Sequence, residues 1–260
     1  MAIIHTMNLR VRSSELSRDG TVGHAVFLQW FQEAAFEASA SLGYGMKEFD
    51  EMGAAWLMRG IDIEFVQAAH YPEEIEIKTW VSDFQRVRSH REYEARRAND
   101  GTLLARARAD WVFLDSRTFA LRRVPAAAVA LFDPNGQPAL EPIAWHDLAA
   151  GEPLGHFEAT RRVQQYELDW MQHVNNTVYV NWIEQQAYDA WRAWEKDPAA
   201  LNLRRHRIEY RQGAVGDDAL VLISDAARVG EQVAWKHNIL RGETLLVEAR
   251  TLGALPFPLN

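Results

Sequence analysis

The sequence predicts an α+β protein made of two copies of one unit. Three observations carry this: the chain repeats itself in order, each copy holds a long apolar-periodic helix, and each helix leads into strands of an antiparallel meander. Setting Trp30 on Trp182, an offset of 152, lays VGHAVFLQWFQEAAFEA over VNNTVYVNWIEQQAYDA. IEFVQAAHYPEE from Ile63 matches IEYRQGAVGDD from Ile208, sharing Ile-Glu-aromatic and then Gln and Ala at equal spacing. GTLLARAR at 101–108 matches ETLLVEAR at 243–250. Three blocks in the same order mark a tandem duplication.

Taken in order, a short first strand precedes each long helix. In the first copy the helix is expected over Thr21–Leu42, where Phe27, Trp30, Phe31, Ala34 and Ala35 recur at helical spacing, and Gly43 and Gly45 end it. Strands follow as WLMRGIDIEFV, EEIEIKTWVSDF, SHREYEARR and LLARARADWVFLDS, with Asn99-Asp100-Gly101 turning between the last two. Alternation in EIEIKTWV and REYEARR fits strands with one wet face. The second copy places its helix over Thr177–Trp194 and its strands at HRIEY, ALVLISDAARV, VAWKHNILR and LLVEARTL. The stretch around 124–155 holds five of the nine prolines and the turn-like Asp133-Pro134-Asn135-Gly136. The expected organisation is therefore a first unit over 1–130, a linker over 131–155 and a second unit over 156–260, each sheet wrapped on its helix.

Composition narrows the function classes. A chain of 260 residues with 48% hydrophobic and 25% charged content reads as globular. No apolar run approaches the roughly 20 residues of a membrane span, and MAIIHTMNLRVRSSEL lacks the pattern of a secretion signal, so the expectation is a cytoplasmic protein without a membrane segment. The absence of cysteine removes disulfides, thiolate nucleophiles and cysteine-held metals, and no His pair has a metal-motif spacing, so neither cofactor nor metal is expected. A formal net charge of −8 speaks against general nucleic-acid binding.

The unusual stretch is DWMQHVNNTVYVNWIE, Asp169–Glu184, where a carboxylate, a histidine and two asparagines introduce a helix. Taken alone, such residues are more often caps than catalysts. Together with WVSDFQRVRSHREYEARRANDGTLLARARADWVFLDSRT in the first half, the motif LDWMQHVNNTVYVNWIE resembles the acyl-ACP thioesterases of bacteria and plants, over about Met7 to Arg250. The resemblance implies a double hotdog fold that hydrolyses fatty-acyl thioesters of acyl carrier protein, the first unit housing the acyl chain and the second supplying the chemistry. It places the family's catalytic Asp and His on Asp169 and His173. Met171 stands where the family usually has Asn, and counting from Ile208 puts Gly213 and Ala214 where plant members carry adjacent Glu and Cys.

In that reaction Asp169 is expected as general base or nucleophile, and His173 as the group that orients water or supports the oxyanion. Unpaired N–H groups at the helix N-terminus would polarise the carbonyl. Asn175 and Asn176 would shape the helix entrance, one of them as N-cap. Glu209 is a second candidate base, although its repeat as Glu64 favours a role in the fold. His24 with Asp19 and Gly20 reads as turn and helix start, and the tryptophans at helical spacing (Trp30, Trp182, Trp191, Trp194) read as core. The partner expected is acyl carrier protein, met by a basic patch from Arg86, Arg88, Arg91, Arg96 and Arg97 or from Arg204, Arg205 and Arg207. An acyl-CoA thioesterase of the same fold and a non-catalytic acyl-binding relative are the alternatives, and pairing of two chains is compatible with either.

Overall fold

A computed structural model describes residues 3–197 and 201–254. The chain divides between Glu141 and Pro142 into two units, each an antiparallel five-stranded sheet with a long helix. Among the described residues no helix is long and apolar enough to cross a membrane.

In the first unit β1 (His5–Arg10) precedes α1 (His24–Ser41), then come a short α2 (Met46–Glu51), β2 (Ala54–Phe65), β3 (Glu74–Gln85), β4 (Arg88–Arg97), β5 (Leu103–Asp115) and α3 (Ala126–Phe132). The strand order is β1-β3-β4-β5-β2. The apolar spacing that predicts α1 is the face it buries: Phe27, Phe31, Ala34 and Ala38 are covered. Phe31 stacks on Tyr93 of β4 at 5.0 Å, and Phe27 meets Phe65 of β2 at 5.8 Å. Each such aromatic contributes about 2–3 kcal/mol by leaving water. The helix stops where Leu42 caps it and Gly43 turns at φ +76°.

The second unit repeats the plan with β6 (Glu152–Arg162), α4 (Val178–Ala193), β7 (Asn202–Tyr210), β8 (Ala219–Val229), β9 (Gln232–Arg241) and β10 (Thr244–Ala254). Its strand order, β6-β8-β9-β10-β7, matches the first unit strand for strand. Trp191 packs on Trp235 of β9 with Ala187, Ala190, Leu201 and Val233 around them. Trp30 and Trp182 are core in their own units, as the spacing predicts. Sequence pattern missed α2 and α3, which are short. The second sits directly after Pro125 and plugs Ala128 and Phe132 against Ala54, Val81 and Phe113, a tertiary contact with no local signature.

Candidate active site

Asp169 and His173 sit in a clamp formed before α4. Glu167 ends a single 3-10 turn and organises everything after it. Its carboxylate accepts from the Gln164 N–H at 2.8 Å and the Trp182 indole at 2.9 Å, and it pairs with Arg161, whose guanidinium lies 4.0 Å above the Trp182 ring. Its carbonyl receives the Asn175 N–H at 3.0 Å. Leu168 and Val174 then bridge, and between them the chain reverses: Asp169 N–H donates to His173 O at 2.8 Å and Gln172 N–H to Asp169 O at 3.0 Å. Gln172 stands at φ +64°, the left-handed conformation the reversal demands.

Within this turn Asp169 is held by its own backbone. Its Oδ1 accepts from the Met171 N–H at 2.8 Å and, at 3.4 Å, from the His173 N–H. Oδ2 makes no hydrogen bond to a described residue. Met171 therefore serves Asp169 through its main chain, while its side chain is partly exposed beside the exposed Trp170. Between the Asp169 carboxylate and the His173 imidazole there is no direct hydrogen bond or ion pair among the described residues; both side chains are partly buried and both keep polar atoms available.

The clamp is docked on the loop after β7. Val174 N–H donates to Ala214 O at 2.8 Å, His173 bridges to Val215, and Ala214 N–H donates to the Tyr179 hydroxyl at 3.0 Å. Gly213 is the close approach in this docking. A Cβ there would lie 2.7 Å from His173 Cδ2 and 3.2 Å from Cγ, so the imidazole occupies the space a side chain would need. Burial pushes the Tyr179 phenol up to about 12, with the nearby Asp169 and Asp218 charges adding to the rise, so it stays a neutral hydroxyl.

Asn175 closes the helix entrance. Its Oδ1 accepts from both the N–H and the hydroxyl of Thr177 at 2.9 Å, and its carbonyl accepts the Val178 N–H at 2.9 Å. The N-cap is Thr177 rather than either asparagine, and Asn175 holds the entrance through a turn onto that residue. Two N–H groups at the helix entrance are thereby occupied. Asn176 takes part through its carbonyl, which accepts from the buried Tyr210 hydroxyl at 3.0 Å.

Glu209 is not brought to this place. It alternates with the inward-facing Ile208 and Tyr210 on β7 and so lies on the sheet's other face, opposite Glu248 and 3.4 Å from Arg207. There it lines a shallow depression with Trp145, Arg207, Glu248 and Arg250. Two members of the expected basic patches are corrected as well. Arg91 and Arg205 are buried, because strand alternation and the covering Trp145 ring take them out of solvent. Arg88, Arg96 and Arg97 are paired with Asp110, Glu94 and Glu73.

The same clamp recurs in the first unit with other side chains, its carboxylate being Asp19, which accepts from the Thr21 N–H at 3.0 Å and hydroxyl at 2.8 Å. Ser17 N–H donates to Thr21 O at 2.7 Å, Gly20 N–H to Ser17 O at 3.0 Å, Gly23 N–H to Glu15 O, and the Trp30 indole to Glu15 at 3.2 Å. Ser17 and Thr21 thus stand at the positions of Asp169 and His173, and Gly20 at that of Gln172.

Profiles of the acyl-ACP thioesterase N-terminal and C-terminal domains match residues 3–132 and 155–252. The chain belongs to the acyl-ACP thioesterase family. It is similar to the chloroplastic palmitoyl-acyl carrier protein thioesterase of Arabidopsis thaliana, 23% identical over 228 residues, 84% of this chain and 54% of that protein. It is also 23% identical over 197 residues to the chloroplastic oleoyl-acyl carrier protein thioesterase 2 of the same plant, 66% of this chain and 51% of that one. The chain spans about half the length of the curated relatives it matches. Among solved structures, the fold is shared with an acyl-ACP thioesterase from Bacteroides thetaiotaomicron, TM-score 0.78 at 16% identity over 96% of this chain and 97% of that one. The 12:0-ACP thioesterase of Umbellularia californica gives 0.77 at 17%, over 97% and 94%. The tandem hotdog architecture is that of these structures.

Proposed function

We propose that the protein hydrolyses fatty-acyl thioesters of acyl carrier protein, with Asp169 as general base and His173 as its partner at the carbonyl. The observation that carries this is the difference between the two clamps. One backbone turn is built twice, and only the second copy arms it with a carboxylate and an imidazole whose polar atoms are left available. Family membership and the curated relatives' names, which specify palmitoyl- and oleoyl-acyl carrier protein thioesterases, support the substrate class.

The step follows from the parts. Asp169 Oδ2 takes a proton from water, whose oxygen attacks the thioester carbon. His173 donates a hydrogen bond to the oxygen that becomes negative. Collapse of the tetrahedral species breaks the C–S bond, and the departing sulfur recovers the proton from Asp169. The products are a fatty acid and the carrier's free thiol. The first unit, whose clamp ties its carboxylate, Asp19, to Thr21 and has no imidazole at the position of His173, houses the acyl chain.

Purified protein assayed against acyl-ACP and acyl-CoA esters of several chain lengths tests the reading. Turnover of acyl-ACP is expected, and Asp169→Asn should lower it by at least about 100-fold with folding intact, the scale of a positioned base. Turnover of CoA esters alone would reassign the carrier. A near-normal rate for Asp169→Asn would mean that another group is the base.

A further inference from the structure

The first unit contains a buried cation that the hydrolysis leaves unused. Arg91 stands on β4 with only 8% of its surface exposed. Its neighbour Tyr93 faces α1, where it stacks on Phe31, and strand alternation turns Arg91 and Ser89 the same way. The guanidinium finds Thr79 Oγ1 at 3.5 Å and Ser39 Oγ at 3.4 Å, both at the outer limit of a hydrogen bond, and the Phe132 ring lies 5.5 Å from its Cζ. No carboxylate pairs with it among the described residues. Glu92, its neighbour in sequence, points to the other face and serves Ser82, Ala139 and Arg108 there.

Two more donors share this inward face. The Tyr93 hydroxyl and the Trp111 indole nitrogen are buried, with only each other as a loose hydrogen-bond partner among the described residues. The β4–β5 register sets Ser89 opposite Trp111, Arg91 opposite Ala109 and Tyr93 opposite Ala107, so the polar groups share one face and alanines stand across from the arginine and the tyrosine. The cluster is rich in donors and poor in acceptors: a guanidinium, an indole N–H and a phenol against two weakly engaged hydroxyls. Burying such a cation unpaired is costly, and an acceptor oxygen delivered among these groups removes much of that cost.

We infer that the Arg91, Tyr93 and Trp111 cluster receives an oxygen function carried on the acyl chain, a hydroxyl or a terminal carboxylate. The protein thereby prefers oxygenated acyl chains to unsubstituted ones of the same length. This rests on the reading that the first unit houses the acyl chain. A carboxylate matches the charge of the guanidinium, and a hydroxyl matches the single donors beside it. Specificity here comes from the buried donors, which keep only long or loose hydrogen bonds when the chain is fully reduced.

Calorimetric titration of the full chain tests this with free acids, so that binding is read apart from turnover. The ligands are dodecanoic acid, dodecanedioic acid, and hydroxydodecanoic acids with the hydroxyl near the carboxyl, at mid-chain and at the far end. At least one oxygenated acid should bind about tenfold tighter than dodecanoic acid, the scale of a hydrogen bond to a charged donor. Arg91→Met, of similar volume, should abolish the preference while still binding dodecanoic acid. Trp111→Phe, which removes one donor and keeps an aromatic ring, should weaken the preference and serves if the arginine variant fails to fold. Which acid wins separates hydroxyl from carboxylate. Equal binding of all the acids by the wild type, or an unchanged preference in Arg91→Met, overturns the inference. A protein that hydrolyses acyl-ACP yet shows no preference loses this inference alone, whereas one that shows the preference without hydrolysis loses only the proposed reaction.

Discussion

His173 and Gly213 make a single steric unit. The imidazole lies where a side chain at position 213 would be, so the glycine is what lets the ring rest against the loop after β7. Counting along the sequence presents Gly213 as a lost functional group; the contact shows instead that it makes room for the His173 ring. Gly213→Ala should displace the ring and lower the hydrolytic rate by about 10- to 100-fold, the cost of misplacing a reacting group by about an ångström. Its thermal melt should stay close to wild type because the position is exposed. A rate near wild type would show that the ring's placement is immaterial. Met171 makes a similar point: a residue that cannot donate from its side chain still fastens Asp169 through its N–H at 2.8 Å. The identity at that position is therefore free to vary without loosening the carboxylate.

At the scale of the element, the two clamps show one backbone design under two kinds of load. Glu167 is buried and satisfies Arg161, the Trp182 indole and the Gln164 N–H together, whereas Glu15 satisfies the Trp30 indole and the Arg12 N–H from a more open position. Removing a partner from a buried charge costs more than removing one near water. Glu167→Ala should therefore lose roughly 3 kcal/mol and Glu15→Ala about 1 kcal/mol. Urea unfolding of the two variants measures this, and equal losses would refute the asymmetry. Asn175→Ala should cost about 1 kcal/mol through loss of its two bonds to Thr177 and lower activity as the α4 entrance loosens. The repeat offset of 152 and the alternation of the strands were legible in the sequence because period and order are local properties. The swap of polar load between the copies was legible only in part, since Ser17 and Thr21 look ordinary until the hydrogen bonds are drawn.

For the whole molecule, stability should depend on pH through a histidine remote from the clamp. Burial holds His237 down to about 3, with the neighbouring His206 adding to the effect, and its Nδ1 lies 2.7 Å from Ser224 Oγ. An unfolded chain takes up a proton there near pH 6.5, while the folded chain does so only near pH 3. Stability contributed by neutral His237 is thus complete above about pH 6.5 and declines as pH falls, by up to about 1.4 kcal/mol per pH unit. Denaturant midpoints taken between about pH 7.5 and 5.5, above the range where carboxylates titrate, should show this decline, and His237→Leu should flatten it. An equally steep decline in the variant would assign the effect to other groups.

The sequence by itself determined the duplication, the two long helices, the strand set and the presence of a carboxylate and an imidazole ahead of the second helix. Each of these is written in periodicity or in neighbouring residues. The tertiary structure decided which of the named groups meet. Glu209 lies on the outer face of β7 because side chains alternate, Gly213 reaches His173 because a bridge docks two loops far apart in sequence, and Arg91 is buried although its strand reads as basic and wet. Side-chain direction across a sheet and contacts between distant loops depend on pairing register and packing, and these exist only once the strands have come together.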